Sequence, residues 1–127
     1  MKKRIVWLAG LCGLAGGWLL VAPAASPQKE LDPVKVSADT CKLVLENKFV
    51  RVIEVKIPAG AREPKHRHLP GVAVCLTNYT IEHKTFPAGQ VTRADRKLGT
   101  VYWSEAVVHE VNNVGATPSH TIRVELK

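Results

Sequence analysis

Alternating apolar and polar residues, broken by glycine and proline, run through the chain from about residue 34 onward. This is the pattern of half-buried strands joined by turns. Pro58-Ala59-Gly60 and Pro87-Ala88-Gly89 are the clearest turn signals. No segment after residue 34 has the length and period of an amphipathic helix, so we expect an all-β domain, a small antiparallel barrel or sandwich. The predicted strands are residues 34–37, 49–57, 72–77, 79–85, 100–103, 107–111 and 120–126.

The N-terminal segment has the pattern of a secretory signal peptide. Three basic residues at positions 2–4 precede a run of apolar residues and glycine at 5–21, and small residues surround Ala24. Cleavage after Ala24 would release the domain into the periplasm or outside the cell. The alternative is an uncleaved inner-membrane anchor facing the periplasm, because the 5–21 run approaches the length that spans a bilayer.

This pattern divides the chain into a signal peptide at residues 1–24, a linker at 25–33 and one domain at 34–127. Three of the 18 Lys and Arg residues lie in the signal peptide, which leaves 15 against 11 Asp and Glu. The excess is mild, and the basic residues are scattered along predicted strands rather than gathered in a patch with aromatic residues. We therefore expect no nucleic-acid binding, and no stable membrane insertion after cleavage.

Two cysteines, Cys41 and Cys75, remain in the mature chain. In an oxidising compartment they could form a disulfide. Two buried free thiols are the alternative, because cysteine is common at small apolar positions.

Three histidines carry the chemistry that the sequence suggests. His66 and His68 are one residue apart, so on a strand they share one face, while Lys65 and Arg67 point the other way. His109 lies on a later predicted strand. Imidazoles from two strands that meet inside a barrel make a metal site plausible.

The spacing of these residues resembles the two motifs of the cupin superfamily. The first motif places a glycine five residues before His-x-His. The second begins with a glycine-led strand and continues to a histidine followed four residues later by asparagine. The matching residues are Gly60, His66 and His68 in the first motif, and Gly99, His109 and Asn113 in the second. The resemblance spans residues 44–127 and implies a cupin-like β-barrel, a double-stranded β-helix or jelly roll, in which such domains often pair as homodimers.

The chain departs from the cupin pattern at the acidic ligand. The family's glutamate would fall near Val72, which cannot bind a metal, so the resemblance implies the three-histidine variant of the site. It also implies that Val72, Val74 and Leu76 share the inner face, with Cys75 pointing away. The divalent ion (Fe, Mn, Ni, Cu or Zn) stays undecided at this point.

Other residues near the motifs have two interpretations each. Glu82 would replace the missing acid if it faced inward, or would be a solvated strand residue. Glu105 is a general acid or base, or a loop residue facing water. Tyr102 or Trp103 is expected to line the cavity, and Asn113 to fix the turn after the His109 strand.

Three functional hypotheses follow for this domain. In the first, His66, His68 and His109 hold a divalent metal ion in an enzyme, for example a dioxygenase-type enzyme acting on a small molecule. In the second, the barrel binds a small ligand without turnover. In the third, it is a metal-free structural barrel that pairs with a second copy.

Overall fold

The computed structural model describes residues 30–127, which form two antiparallel β-sheets around one core. The first sheet has five strands in the order β1-β2-β9-β4-β7, and the second has four in the order β3-β8-β5-β6. The strands are β1 Cys41–Glu46, β2 Val50–Ile57, β3 Arg62–His68, β4 Gly71–Cys75, β5 Tyr79–Thr85, β6 Val91–Arg96, β7 Val101–Ser104, β8 Val107–Asn113 and β9 Ser119–Leu126. The predicted all-β architecture is confirmed.

One predicted strand is wrong, because residues 34–37 do not extend. Pro33–Val36 forms a short helix, α1. Asp32 caps it, since its side chain accepts a hydrogen bond from the Val34 backbone N–H at 3.0 Å, and Pro33 pre-sets the first helical position. The alternation of apolar and polar residues over positions 34–37 was too short to outweigh this helix-capping signal. Within residues 30–127, no helix has the length and apolar character needed to cross a membrane. The predicted signal peptide lies outside the described residues.

Both predicted proline-glycine turns are present. Gly60 joins β2 to β3 with φ 76°, and Gly89 lies between β5 and β6 with φ 69°. A glycine is needed at each position because this left-handed backbone region disfavours side chains with a Cβ.

The core lies between the sheets, and β4 faces it differently from the sequence prediction. Gly71, Ala73 and Cys75 are buried, while Val72 and Leu76 are exposed. The predicted inner face of β4 is therefore wrong by one residue, a shift that exchanges every side chain between the two faces. The pairing of β4 with β9 explains which face of β4 lies inward. The Cβ of an alanine at position 71 would lie 2.0 Å from the Val124 carbonyl oxygen. Only the residue without a side chain fits there.

The two cysteines are buried free thiols, which decides between the alternatives. Cys41 pairs with Val55, Val55 with Thr121, and Thr121 with Cys75, so the cysteines lie on one row across four strands. Three strand spacings separate them, about 14 Å. A disulfide needs Cα atoms within about 7 Å. Within residues 30–127, both thiols are therefore free.

Asn113 fixes the turn after β8, as the sequence predicted. Its side-chain amide donates to the carbonyl oxygens of Ile57 and Thr117, each at 2.9 Å. Its Oδ1 accepts from the Gly115 backbone N–H at 3.0 Å. The side chain is fully buried, so these bonds satisfy groups that water does not reach.

Candidate metal centre

A bulge in β3 turns three potential ligands toward the barrel interior. Glu63 pairs with Val111 and His66 pairs with His109, so three residue steps along β3 lie opposite two residue steps along β8. The extra residue lets Glu63 and His66 point to the same side although they are three positions apart. His68 follows two residues later on that face, and all three side chains are buried.

Strand β8 brings the third histidine to this pair. His109 is the direct cross-strand partner of His66, and Nε2 of His109 lies 3.0 Å from Nε2 of His66. One ring nitrogen from each of His66, His68 and His109 lies within 4.8 Å of the others. The predicted convergence of the three histidines is confirmed, and all three are buried.

The Nδ1 atom of each histidine has a hydrogen-bond partner on the side away from the cluster. His66 Nδ1 lies 2.7 Å from the Pro64 carbonyl oxygen, a bond in which the ring donates. His68 Nδ1 lies 2.5 Å from Glu125 Oε1. Ligating histidines are held in this way, since a proton fixed on one nitrogen leaves the lone pair of the other for a metal.

His83 provides the third of these contacts. Its Nδ1 lies 3.2 Å from Nδ1 of His109, and the two rings stack with centroids 5.1 Å apart. If His109 donates to His83, both Nε2 lone pairs of His66 and His109 face each other across 3.0 Å, an arrangement that a cation between them stabilises. If His83 donates instead, His109 Nε2 carries the proton and donates to His66. A tautomer change of His109 therefore converts a metal-free chain of hydrogen-bonded histidines into a set of metal ligands.

Burial keeps these rings neutral, as a metal ligand requires. It lowers the pKa of His66 and of His68, and lowers that of His83 to about 4. It also lowers the pKa of His109. Glu125 responds in the opposite sense, since burial raises its pKa to about 7. The chemistry of the donor set therefore fits a divalent transition metal.

Glu63 brings a carboxyl group beside the histidines, whereas the family resemblance had put the acidic position near Val72. Its Oε1 accepts from Thr40 Oγ1, and from Cys41 Sγ at 3.2 Å. Its Oε2 lies 3.8 Å from His66 Nε2. One carboxylate oxygen is thus held by β1 and its lead-in, while the other faces the histidines. Val72 itself is on the outer face, paired with Trp103 and Val124.

The remaining candidates divide between the inner and outer faces. Glu82 is not inward-facing: it lines a pocket with Arg62 and Asn112 on the opposite face of the four-stranded sheet from His83. Tyr102 lines the cavity, whereas Trp103 is half exposed. Glu105 accepts from Trp103 Nε1 at 2.6 Å at the rim of the barrel.

A narrow cavity and a wider cleft connect the histidines to the surface. The cavity, about 40 Å³, is lined by His68, His109 and Glu63 among others. The cleft, about 330 Å³, opens beside His83 and His109 and runs between β6 and β7. A small molecule entering by the cleft would reach His83 and His109 at the edge of the histidine cluster.

Sequence reasoning missed three residues of this centre. Glu63 escaped because regular strand alternation puts residues 63 and 66 on opposite faces. Glu125 comes from the last strand, where it shares the buried face with Arg123 and Thr121; three polar residues at alternate positions were the available signal. His83 shares the face of Ile81 and Tyr79 on β5, and that alternation could have placed it.

Comparisons with known proteins agree with this architecture. No protein-family model matches the chain, and no curated protein does. A cupin domain from Bordetella pertussis Tohama I is 28% identical, with a TM-score of 0.62, over 68% of this chain and 91% of that one. An RmlC-like cupin family protein with a double-stranded β-helix fold from Methanocaldococcus jannaschii is 14% identical, with a TM-score of 0.55, over 68% of this chain and 77% of that one.

A third solved structure has the same fold. It is an uncharacterized conserved protein with a double-stranded β-helix domain from Klebsiella pneumoniae, 20% identical, with a TM-score of 0.51, over 66% of this chain and 68% of that one. The chain therefore has the cupin fold, and its similarity to the Bordetella pertussis cupin domain supports its place in the cupin superfamily.

Proposed function

We propose that the protein holds one divalent transition-metal ion through His66, His68 and His109, with Glu63 facing the same point, and presents it to a small molecule. The observation that carries the proposal is the pairing of each histidine's Nδ1 with a partner outside the cluster. Pro64, Glu125 and His83 occupy those positions. A set of buried rings oriented in this way has its other nitrogens available to a metal.

The donor set also suggests how the site would be used. Three imidazoles leave coordination positions open for a substrate or water, unlike a closed structural site. When bound, iron would supply dioxygen chemistry and zinc would supply Lewis-acid chemistry. The chain's own contribution is to exclude water from the buried histidines and to admit a small molecule through the cleft beside His83.

Metal content tests the proposal directly. The mature protein is purified without an affinity tag or chelator, and its metals are measured by elemental analysis before and after loading with Fe, Mn, Ni, Cu or Zn. We expect about one equivalent in the parent, and its loss in His109→Ala and in the double variant His66→Ala, His68→Ala. His120→Ala is the matched control, because His120 contacts Glu54 on the outer face.

Two results would contradict this function. If the parent retains no ion after loading with each metal, the protein is a metal-free ligand-binding barrel. Equal metal content in the parent and the His109→Ala variant would place the ion elsewhere. Circular dichroism of each variant distinguishes loss of the site from loss of the fold.

We also propose that two copies pair through the outer face of the five-stranded sheet. Val72, Val101 and Trp103 are exposed there, and cross-strand pairing joins Val72 to Trp103 and Val74 to Val101. Contiguous exposed apolar side chains are typical of an interface rather than of a free surface. A second copy of this chain would cover them.

We propose export on the basis of the N-terminal sequence alone. Expression in a bacterial host followed by cell fractionation tests it, together with the mass of the purified protein. A periplasmic product that begins at Ala25 is the expected result. A full-length product in the membrane fraction would instead support the anchor.

A further inference from the structure

Two arginines line the cleft beside the histidine cluster. Arg96 comes from β6, where it pairs with Tyr79, and Arg123 comes from β9, where it pairs with Ala73. Both side chains line the cleft next to His83 and His109. They come from opposite sheets, so the cleft has a cationic group on each side.

Arg123 is almost fully buried, with 7% of its surface exposed. Its Nη2 donates to Ser104 Oγ at 3.2 Å, and its Nε lies 3.8 Å from Glu125 Oε1 without a hydrogen-bond partner. A buried guanidinium has five donors. Ser104 and Glu125 leave part of that capacity unused.

Arg96 is held in place but is not neutralised. Its guanidinium stacks on the Tyr102 ring, 4.5 Å from the centroid. Its buried Nε has no hydrogen-bond partner. Among residues 30–127, the ion pairs within 4 Å include none with Arg96. Stacking of this kind fixes the plane of the guanidinium and leaves its edge for a ligand.

Negative groups nearby limit the charge that the cleft can accept. Glu105 also lines the cleft, but its Oε1 is bonded to Trp103 Nε1 at 2.6 Å. Glu125 lies close to Arg123. In the metal-free cleft the positive excess is therefore small, which favours a ligand group with one negative charge over a doubly charged phosphate.

From this geometry we infer that the protein binds a small carboxylate, with Arg96 as its main anchor and Arg123 as a second donor across the cleft. Guanidinium groups recognise carboxylates through paired N–H donors. The carboxylate would lie beside His83 and His109, which names the substrate class of the proposed metal site as small organic acids. In that respect the inference rests on the proposed function.

Calorimetric titration of the full mature protein tests the inference. Acetate, propionate and inorganic phosphate are titrated before and after zinc loading, and zinc content is measured in the same samples. We expect a carboxylate to bind the parent, and Arg96→Gln to weaken that binding by about tenfold or more, as loss of a charge-assisted bond implies. Arg93→Gln is the matched control, because Arg93 is an exposed arginine on the same strand.

The outcomes separate this inference from the proposed function. Arg96-dependent carboxylate binding by a parent that retains none of the five ions after loading would support the inference and overturn the metal function alone. Three results would overturn the inference: no carboxylate binding at millimolar concentration, equal binding by the parent and Arg96→Gln, or zinc loss in Arg96→Gln. Phosphate binding that depends on Arg96, without carboxylate binding, would overturn the assigned class.

Discussion

Nδ1 of His68 and Oε1 of Glu125 lie 2.5 Å apart, and both side chains are buried. The carboxyl group belongs to the last strand and the ring to the third, so the contact forms only when the barrel closes. It is the histidine-carboxylate contact that orients ligands in metal sites. His68 is thereby presented to the cluster through its other nitrogen.

We expect Glu125→Gln to lower metal affinity by about 10- to 100-fold, the usual cost of losing such a partner. The amide keeps the shape of the side chain but no longer accepts the ring N–H as a carboxylate. Competition with a chromophoric chelator measures the affinity for zinc. Glu54→Gln is the control, because Glu54 contacts His120 on the outer face; equal effects of the two variants would refute an orienting role for Glu125.

Acid should destabilise the metal-free protein. Burial lowers the folded-state pKa of the four clustered histidines, including His83 from 6.5 to about 4. The unfolded chain therefore binds more protons below about pH 6.5, and stability falls as the pH falls. The lowered pKa of His83 alone reduces the free energy of unfolding by about 3 kcal/mol between pH 7 and pH 4.

Glu125 opposes this trend, because its raised pKa of about 7 favours the folded state as the pH falls toward 4.5. One raised carboxyl group offsets about one histidine, so the net change is a loss on the order of a few kcal/mol. Urea unfolding at pH 7, 5.5 and 4 in the presence of a chelator measures it. Constant or rising stability toward pH 4 would show that the histidines are not buried as neutral rings.

Removal of the Asn113 side chain should cost about 2–4 kcal/mol of folding stability. Asn113→Ala leaves the buried Ile57 carbonyl oxygen, the Thr117 carbonyl oxygen and the Gly115 backbone N–H without their side-chain partner. Thermal and urea unfolding provide the measurement. Asn112→Ala should cost much less, because Asn112 is only partly buried and lies on the other face of β8. A similar loss in both variants would mean that the turn does not depend on Asn113.

A charge on the outer face of the five-stranded sheet should separate the proposed dimer. Val101 is 62% exposed, and Val101→Lys would bury a lysine against the second copy. Sedimentation equilibrium should give a dimer for the parent and a monomer for the variant. Val91→Lys places the same charge at an equally exposed valine on the four-stranded sheet and should leave the dimer intact. A monomeric parent would rule out this interface.

The sequence was sufficient to predict the all-β class and the convergence of the three histidines, and the reasons are physical. Strand alternation places His66 and His68 on one face whatever the surrounding fold, and the family resemblance supplied His109. Alternation carries no information about irregular pairing, so Glu63 was missed. The inner face of β4 was predicted wrongly because the family resemblance implied a register with Val72 and Val74 inside, whereas the packing of β9 admits only glycine at position 71.

The extra residue in β3 determines the net charge of the groups that surround the centre of the histidine cluster. Without it, a regular strand would turn Glu63 to solvent, and a divalent ion bound by the histidines would be surrounded by three neutral rings. With it, the buried Glu63 carboxylate would compensate half of that ion's charge. A one-residue deletion at Pro64 or Lys65 would therefore be expected to exchange one class of centre for another, changing which ions and which anions it accepts, while His66, His68 and His109 all remain in the chain.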